Sequence, residues 1–191
     1  EKDLESLGIP PSKVVRIPNG ISLNGFSVSY ESERIKSGLG WTAESKIVTF
    51  VGRLVYAKGV DWLLEVWKQG IVHERQGRLL IIGDGPERSA LEAQARALGI
   101  TDTVAFVGRQ EDVFRFLAIT DVFVFPSRQE GVANALLEAM SLGLPVVVAD
   151  DMLGGNREVV GDQKDGYVVR FGDSVAFAQT LLKLLRDTGL R

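Results

Sequence analysis

The sequence has no cysteine and one histidine, His73. Disulfides and thiolate metal sites are therefore excluded. A lone histidine cannot build a His-rich metal site and offers little basis for a Ser-His-Asp triad. No apolar run approaches the roughly 20 residues that cross a bilayer, and no secretory signal opens the chain. Cations are not in excess: 22 Lys and Arg against 25 Asp and Glu give a net charge of −3 and a pI near 5.3. No bulk electrostatic footprint for nucleic acid follows, so phosphate contacts must come from a few placed cations. A phosphate loop ending in Gly-Lys-Ser/Thr is absent. The dinucleotide fingerprint is incomplete. Gly83-Asp84-Gly85 is followed by Pro86-Glu87-Arg88-Ser89, with no third glycine and with a proline that removes an amide donor. It also lies outside the first strand–helix unit, where a nicotinamide dehydrogenase would carry it. A tight turn with Pro86 opening the next helix is the better reading there.

What is present is ordinary in bulk. The chain has 191 residues, 45% apolar and 25% charged, enough for one large soluble domain or two small ones. It begins at Glu1 without methionine, and the expectation is a piece of a longer polypeptide. Residues 1–45 are irregular: Ile9-Pro10-Pro11 interrupts the chain, Pro18-Asn19-Gly20 reads as a turn, and a short helix is expected around Glu31–Leu39, ending at Gly40. This reads as an entry segment or interdomain linker. Residues 46–191 read as the domain.

From Lys46 onward short apolar runs alternate with helical patterns. Strands are expected at Ile47–Val51, Leu79–Ile82, Val104–Val107, Val122–Phe125, Pro145–Ala149 and Tyr167–Val169. Continuous apolar runs of this length suit strands buried on both faces. Helices are expected from Val60 with Leu63, Leu64 and Trp67; from Pro86 to Leu98, closed by Gly99; from about Glu111; after 126–133; around Asn156–Val160; and at the end, with Ala178, Leu181, Leu182 and Leu185 on one face. The connections are too long for hairpins. A Rossmann-like three-layer αβα domain with a six-stranded, mostly parallel sheet follows, with right-handed crossovers. Such a sheet binds ligands outside the carboxyl ends of its strands. Those ends are the loops 52–59, 83–86, 108–110, 126–133 and 150–155.

The polar chemistry gathers in these loops. Arg53 and Lys58 lie between Gly52 and Gly59. Glycine admits close backbone approach, and the two cations suit a diphosphate, although two solvated surface cations would look the same. Gly108-Arg109 reads as a turn, or as the border of a base. Gly154-Gly155 reads as a device for positive φ ahead of the other reading, amides brought near a ligand. In the stretch Pro126–Met140, Glu130 falls in a loop and Glu138 in the second turn of a helix, with the helix's first amides between them. An acid and nucleophile pair flanking one glycosidic bond is conceivable, but the two should face different parts of one ligand. Each could also be an ordinary helix or loop carboxylate.

Taken together, the loops resemble a known family. Glu130-x7-Glu138 is similar to the E-x7-E signature of retaining GT-B glycosyltransferases, in particular the GT4 family or "glycosyl transferases group 1". Four more segments match its pattern in order: Ile17-Pro18-Asn19-Gly20, Val51-Gly52-Arg53-Leu54 with Lys58-Gly59, Gly83–Glu87, and Leu142-Gly143-Leu144-Pro145-Val146. The resemblance covers nearly the whole chain. It implies the C-terminal, donor-binding half of a two-domain enzyme, with the N-terminal, acceptor-binding domain elsewhere and Ile17–Asn24 as interdomain connection. It further implies that Arg53 and Lys58 hold the diphosphate of a UDP-, GDP- or ADP-sugar and that Glu138 bonds the ribose hydroxyls. Glu130 would lie against the donor sugar, with the amides of Gly131, Val132, Ala133 and Asn134 contacting sugar and phosphate. Gly52 would line the diphosphate and Val107, Gly108 and Arg109 the base. No metal or other cofactor is expected, and the acceptor would be a sugar, a lipid or another small molecule. The expected location is cytoplasmic, with peripheral attachment to a membrane through other parts of the protein as the alternative. A non-catalytic nucleotide-sugar-binding module, and half of a GT-B nucleotide-sugar epimerase, are the alternatives. A phosphorylase half would carry a cofactor-lysine context that is not seen.

Overall fold

The computed structural model describes residues 32–129, 133–150, 155–161 and 163–187, together with 7, 8, 10–13, 20 and 189. Its centre is one six-stranded sheet: β1 (Lys46–Val51), β2 (Gly77–Ile82), β3 (Val104–Gly108), β4 (Val122–Phe125), β5 (Val146–Asp150) and β6 (Tyr167–Arg170). The spatial order is β3-β2-β1-β4-β5-β6, and every pairing is parallel. Val48 lies opposite both Leu79 on β2 and Val122 on β4. The chain thus winds outward one way from β1 and then the other way from β4. Helices on either side of that reversal diverge, leaving a crevice at the carboxyl ends of β1 and β4.

The helices are α1 (Ser32–Gly38), α2 (Val60–Val66), α3 (Arg88–Leu98), α4 (Phe114–Leu117), α5 (Asn134–Ser141), α6 (Gly155–Val159) and α7 (Ser174–Arg186). A π-helical stretch, Trp67–Ile71, prolongs α2. Alternation along β1 and β2 divides the apolar side chains between the two faces. Val48, Phe50, Leu79 and Ile81 join the larger core with Leu63, Trp67 and Phe177, while Ile47, Leu80 and Ile82 meet Trp41 and Phe116 in a smaller one. Each fully buried side chain of this size is worth about 1.5–3 kcal/mol. Two polar pairs are satisfied inside: Trp67 Nε1 donates to Thr103 Oγ1 at 3.0 Å, and the Thr49 and Thr120 hydroxyls lie 2.7 Å apart.

All six expected strands are present, and β4 has the expected bounds. Three helix expectations need correction. The helix expected from Glu111 is the single turn α4, because residues 109–113 stay in a loop. Gln110 Nε2 donates to the Val107 carbonyl at 2.7 Å, and the Asp112 side chain accepts from the amide of Arg115. Pro86 does not open α3, which starts at Arg88. Pro86 and Glu87 form a turn docked on the preceding loop, where the Glu87 amide donates to the Leu54 carbonyl. On α7, Leu184 and Phe177 replace Leu182 in the fully buried stripe, and Leu182 is only partly covered.

Candidate active site

Loop 52–59 leaves β1 and is held by backbone on both sides. The Leu54 amide donates to the Asp84 carbonyl at 2.9 Å. A Cβ on Gly83 would sit 1.8 Å from the Gly52 carbonyl oxygen, and one on Gly85 would sit 2.3 Å from that of Leu54. The Gly-Asp-Gly segment therefore needs its glycines to nest against loop 52–54, and the tight-turn reading has a physical basis. Toward β4 the loop forms a 3₁₀ turn, Tyr56–Lys58, ending at Gly59 with φ 68°. A Cβ there would lie 2.0 Å from the Pro126 carbonyl oxygen. The Ala57 carbonyl accepts from the amide of Arg128 at 2.8 Å and from Ser127 Oγ at 3.0 Å. The two loops that flank the reversal point are thus joined.

Arg53 is exposed on this loop. Lys58 is half-buried, with Nζ 5.1 Å from the centroid of the Phe125 ring at the end of β4. Burial lowers its pKa. An anion bound beside it would favour the ammonium and reverse that shift.

A cavity of about 440 Å³ opens beside Arg53. Gly52, Arg53, Gly83, Asp84, Arg109 and Gln110 line it, with Val51, Ile82, Gly85 and Val113. Of the three residues expected at the base, Arg109 borders this space. Val107 packs against the smaller core, with its carbonyl taken by Gln110, and the Gly108 carbonyl accepts from the Gly83 amide at 2.8 Å. Gln110 falls in the expected loop 108–110, whereas Val113 was not expected from the sequence. The bond from Gln110 to the Val107 carbonyl ties this loop back to β3.

On the β4 side, Ala133 takes an extended conformation and caps α5, and Asn134 is the helix's first residue. Glu138 lies in the second turn of α5, half-buried, with no side-chain partner among the described residues. Burial raises its pKa by disfavouring the charged form. Glu130, Gly131, Val132, Gly154 and the Ile17-Pro18-Asn19 segment lie outside the described residues. Arg128, in the same stretch, makes a bidentate pair with Asp61 at 2.6 and 2.7 Å, and neither residue was singled out from the sequence. Among the described residues no group of three His, Asp or Glu side chains is arranged to hold a metal ion, and no helix is long and apolar enough to cross a membrane.

A doubly wound parallel sheet with glycine-lined strand ends and cations in the loops after them defines a Rossmann-like domain. The family model for glycosyl transferases group 1 matches residues 45–187, and the chain belongs to that family. It is 31% identical over 157 residues to N-acetyl-alpha-D-glucosaminyl L-malate synthase of Bacillus anthracis, which covers 82% of this chain and 40% of that protein. It is 32% identical over 192 residues to phosphatidyl-myo-inositol mannosyltransferase of Mycobacterium leprae, covering 98% of this chain and 48% of that one. Anabaena HepE, solved in complex with UDP and glucose, superposes with a TM-score of 0.88 at 26% identity, over 99% of this chain and 52% of that one. The chain spans about half the length of the curated relatives it matches.

Proposed function

We propose that this chain is the donor-binding domain of a retaining glycosyltransferase, which moves a hexose from a nucleotide-diphosphate sugar to an acceptor held by another domain. The observation that carries this reading is the row of cations at the carboxyl ends of neighbouring strands. Lys58 stands at the end of β4, and Arg53 and Arg109 stand at the mouth of the 440 Å³ cavity. The nucleotide base would enter that cavity. Arg53 and Lys58 would take the diphosphate, and the half-buried Glu138 would accept from the ribose hydroxyls. When the glycosidic bond breaks, charge gathers on the leaving diphosphate, where two fixed cations and the start of α5 stabilise it. The sugar becomes oxocarbenium-like, and by the family resemblance Glu130 orients it. Two cations with a helix start fill the role that a metal ion would otherwise have. A complexed UDP in a structural neighbour supports a nucleotide donor.

Titration calorimetry with UDP, GDP and ADP tests the reading. The folded chain should bind one of them weakly, with affinity unchanged by a chelator, and should transfer no sugar alone. A folded chain that binds none of the three rules out the donor site. Robust turnover by the 191 residues alone contradicts the assignment of acceptor binding to another domain.

A further inference from the structure

We propose that Arg128 is a positioning residue of this donor site, holding the turn that presents Lys58. The proposal rests on the donor-site reading above. Tyr56–Lys58 is one turn of 3₁₀ helix, a geometry with poor internal hydrogen bonds. Burial does little to secure its start, since Tyr56 is 64% exposed. Arg128 supplies the missing constraint from another strand's end. Its guanidinium donates to Asp61 Oδ1 at 2.6 Å and Oδ2 at 2.7 Å, and to the Tyr56 carbonyl at 2.7 Å. Its own amide donates to the next carbonyl, that of Ala57, at 2.8 Å. The two carbonyls that precede Lys58 are therefore both held by one residue.

The same guanidinium lies over two aromatic rings, 4.0 Å from the centroid of Tyr56 and 5.0 Å from that of Phe171. Phe171 follows β6 and packs on Trp62 of α2. Arg128 thus links the loops after β1, β4 and β6, and its anchor Asp61 sits in the first turn of α2. The bond set uses a planar fork with flat stacking faces, which an ammonium cannot reproduce. A solvent-exposed ion pair serving stability alone would tolerate that exchange.

The test compares the chain with Arg128→Lys, Asp61→Asn and the double variant. UDP affinity is measured by calorimetry, melting temperature by circular dichroism and amide exchange by NMR. Each single variant should weaken UDP binding about five- to tenfold through displacement of Lys58. The double variant should be no worse than the weaker single, because both break one device. Exchange at the Lys58 and Arg128 amides should quicken about tenfold or more, while β1 amides stay protected and melting shifts by only about 3 °C. Either of two results overturns the inference: Arg128→Lys binding UDP like the unaltered chain, or exchange at Lys58 remaining unchanged. Losses that add in the double variant overturn it as well. If Asp61→Asn melts far below the parent, Arg128→Lys, which keeps the charge, carries the comparison. A folded parent chain that binds no nucleotide overturns the donor-site reading and the inference with it. A parent that binds, with variants that bind equally well, overturns the inference alone.

Discussion

A hollow opens at each end of the sheet, and the two differ in chemistry more than in size. The one at the carboxyl ends has about 440 Å³ and is lined from the loops after β1, β2 and β3. The one at the amino ends of β5 and β6 has about 500 Å³ and lies among Met140, Gly143, Pro145, Lys164, Asp165 and Tyr167. In a parallel sheet each crossover helix starts near the carboxyl end of the strand it follows. Helix N-termini, with their partial positive charge, therefore gather at the first hollow, and the C-terminal turn of α5 faces the second. Arg53 and Arg109 add cations to the first, where the Asp84 carboxylate is paired with Arg88 at 2.9 Å, whereas Lys164 and Asp165 cancel within one turn of the second. Size alone would have chosen the wrong end for an anion.

The change that breaks this contrast at the greatest cost in stability is Gly59→Ala. The left-handed backbone costs about 1–2 kcal/mol in a non-glycine residue, and the overlap with the Pro126 carbonyl adds to it. Melting should fall by about 5 °C or more, and calorimetry should show nucleotide binding reduced by over about tenfold as the two loops part. Next comes Arg53→Ala with Lys58→Ala. Loss of two charge-assisted contacts should lower UDP affinity roughly tenfold for each, with little effect on melting. An unchanged affinity would remove both from the diphosphate.

The pH dependence is a finer probe. Burial raises the pKa of Glu138, so the folded state disfavours its ionised form. That cost is full above the raised pKa. It disappears as pH falls through it to below the ordinary carboxylate value, so the group makes folding more favourable toward acid. Ribose binding by the carboxylate runs the other way, and affinity should fall on acidification at a higher pH than an exposed glutamate would give. Lys58 has a lowered pKa from burial. The cost of its charge is full below that pKa and is relieved as pH rises past the ordinary lysine value, while diphosphate affinity is lost over the same rise. Nucleotide affinity against pH should be bell-shaped, and Glu138→Gln should flatten the acid limb, bind a few-fold more weakly and melt slightly higher at neutral pH. A flat profile in the parent chain would contradict both roles. The smallest effect belongs to the other hollow: Lys164→Ala and Asp165→Ala should change UDP affinity by less than about twofold. A large loss there would move the site to the amino end.

Much of this was legible in the chain. Strands buried on both faces read as bare apolar runs, so Val122–Phe125 could be placed to the residue. Residues 109–113 could not, because the helix expected there loses to a side-chain bond from Gln110 to Val107 and to a loop that walls a cavity. Arg53, Lys58 and Glu138 stood out by type and by position after apolar runs. Arg128 and Asp61 did not, since each looks like a surface charge until a separation of 67 residues closes into a bidentate pair.

The alternation of apolar runs and helical faces by itself determined an α/β domain and which loops lie at strand ends, because burial on two faces and a helix's period are local properties of a chain. The strand order, with its reversal between β1 and β4, belongs to the tertiary structure. So do the half-burial of Lys58 and Glu138, the closeness of Gly59 to Pro126 and the reach of Arg128 across three loops. These depend on contacts between residues far apart in sequence, whose partners no local pattern specifies.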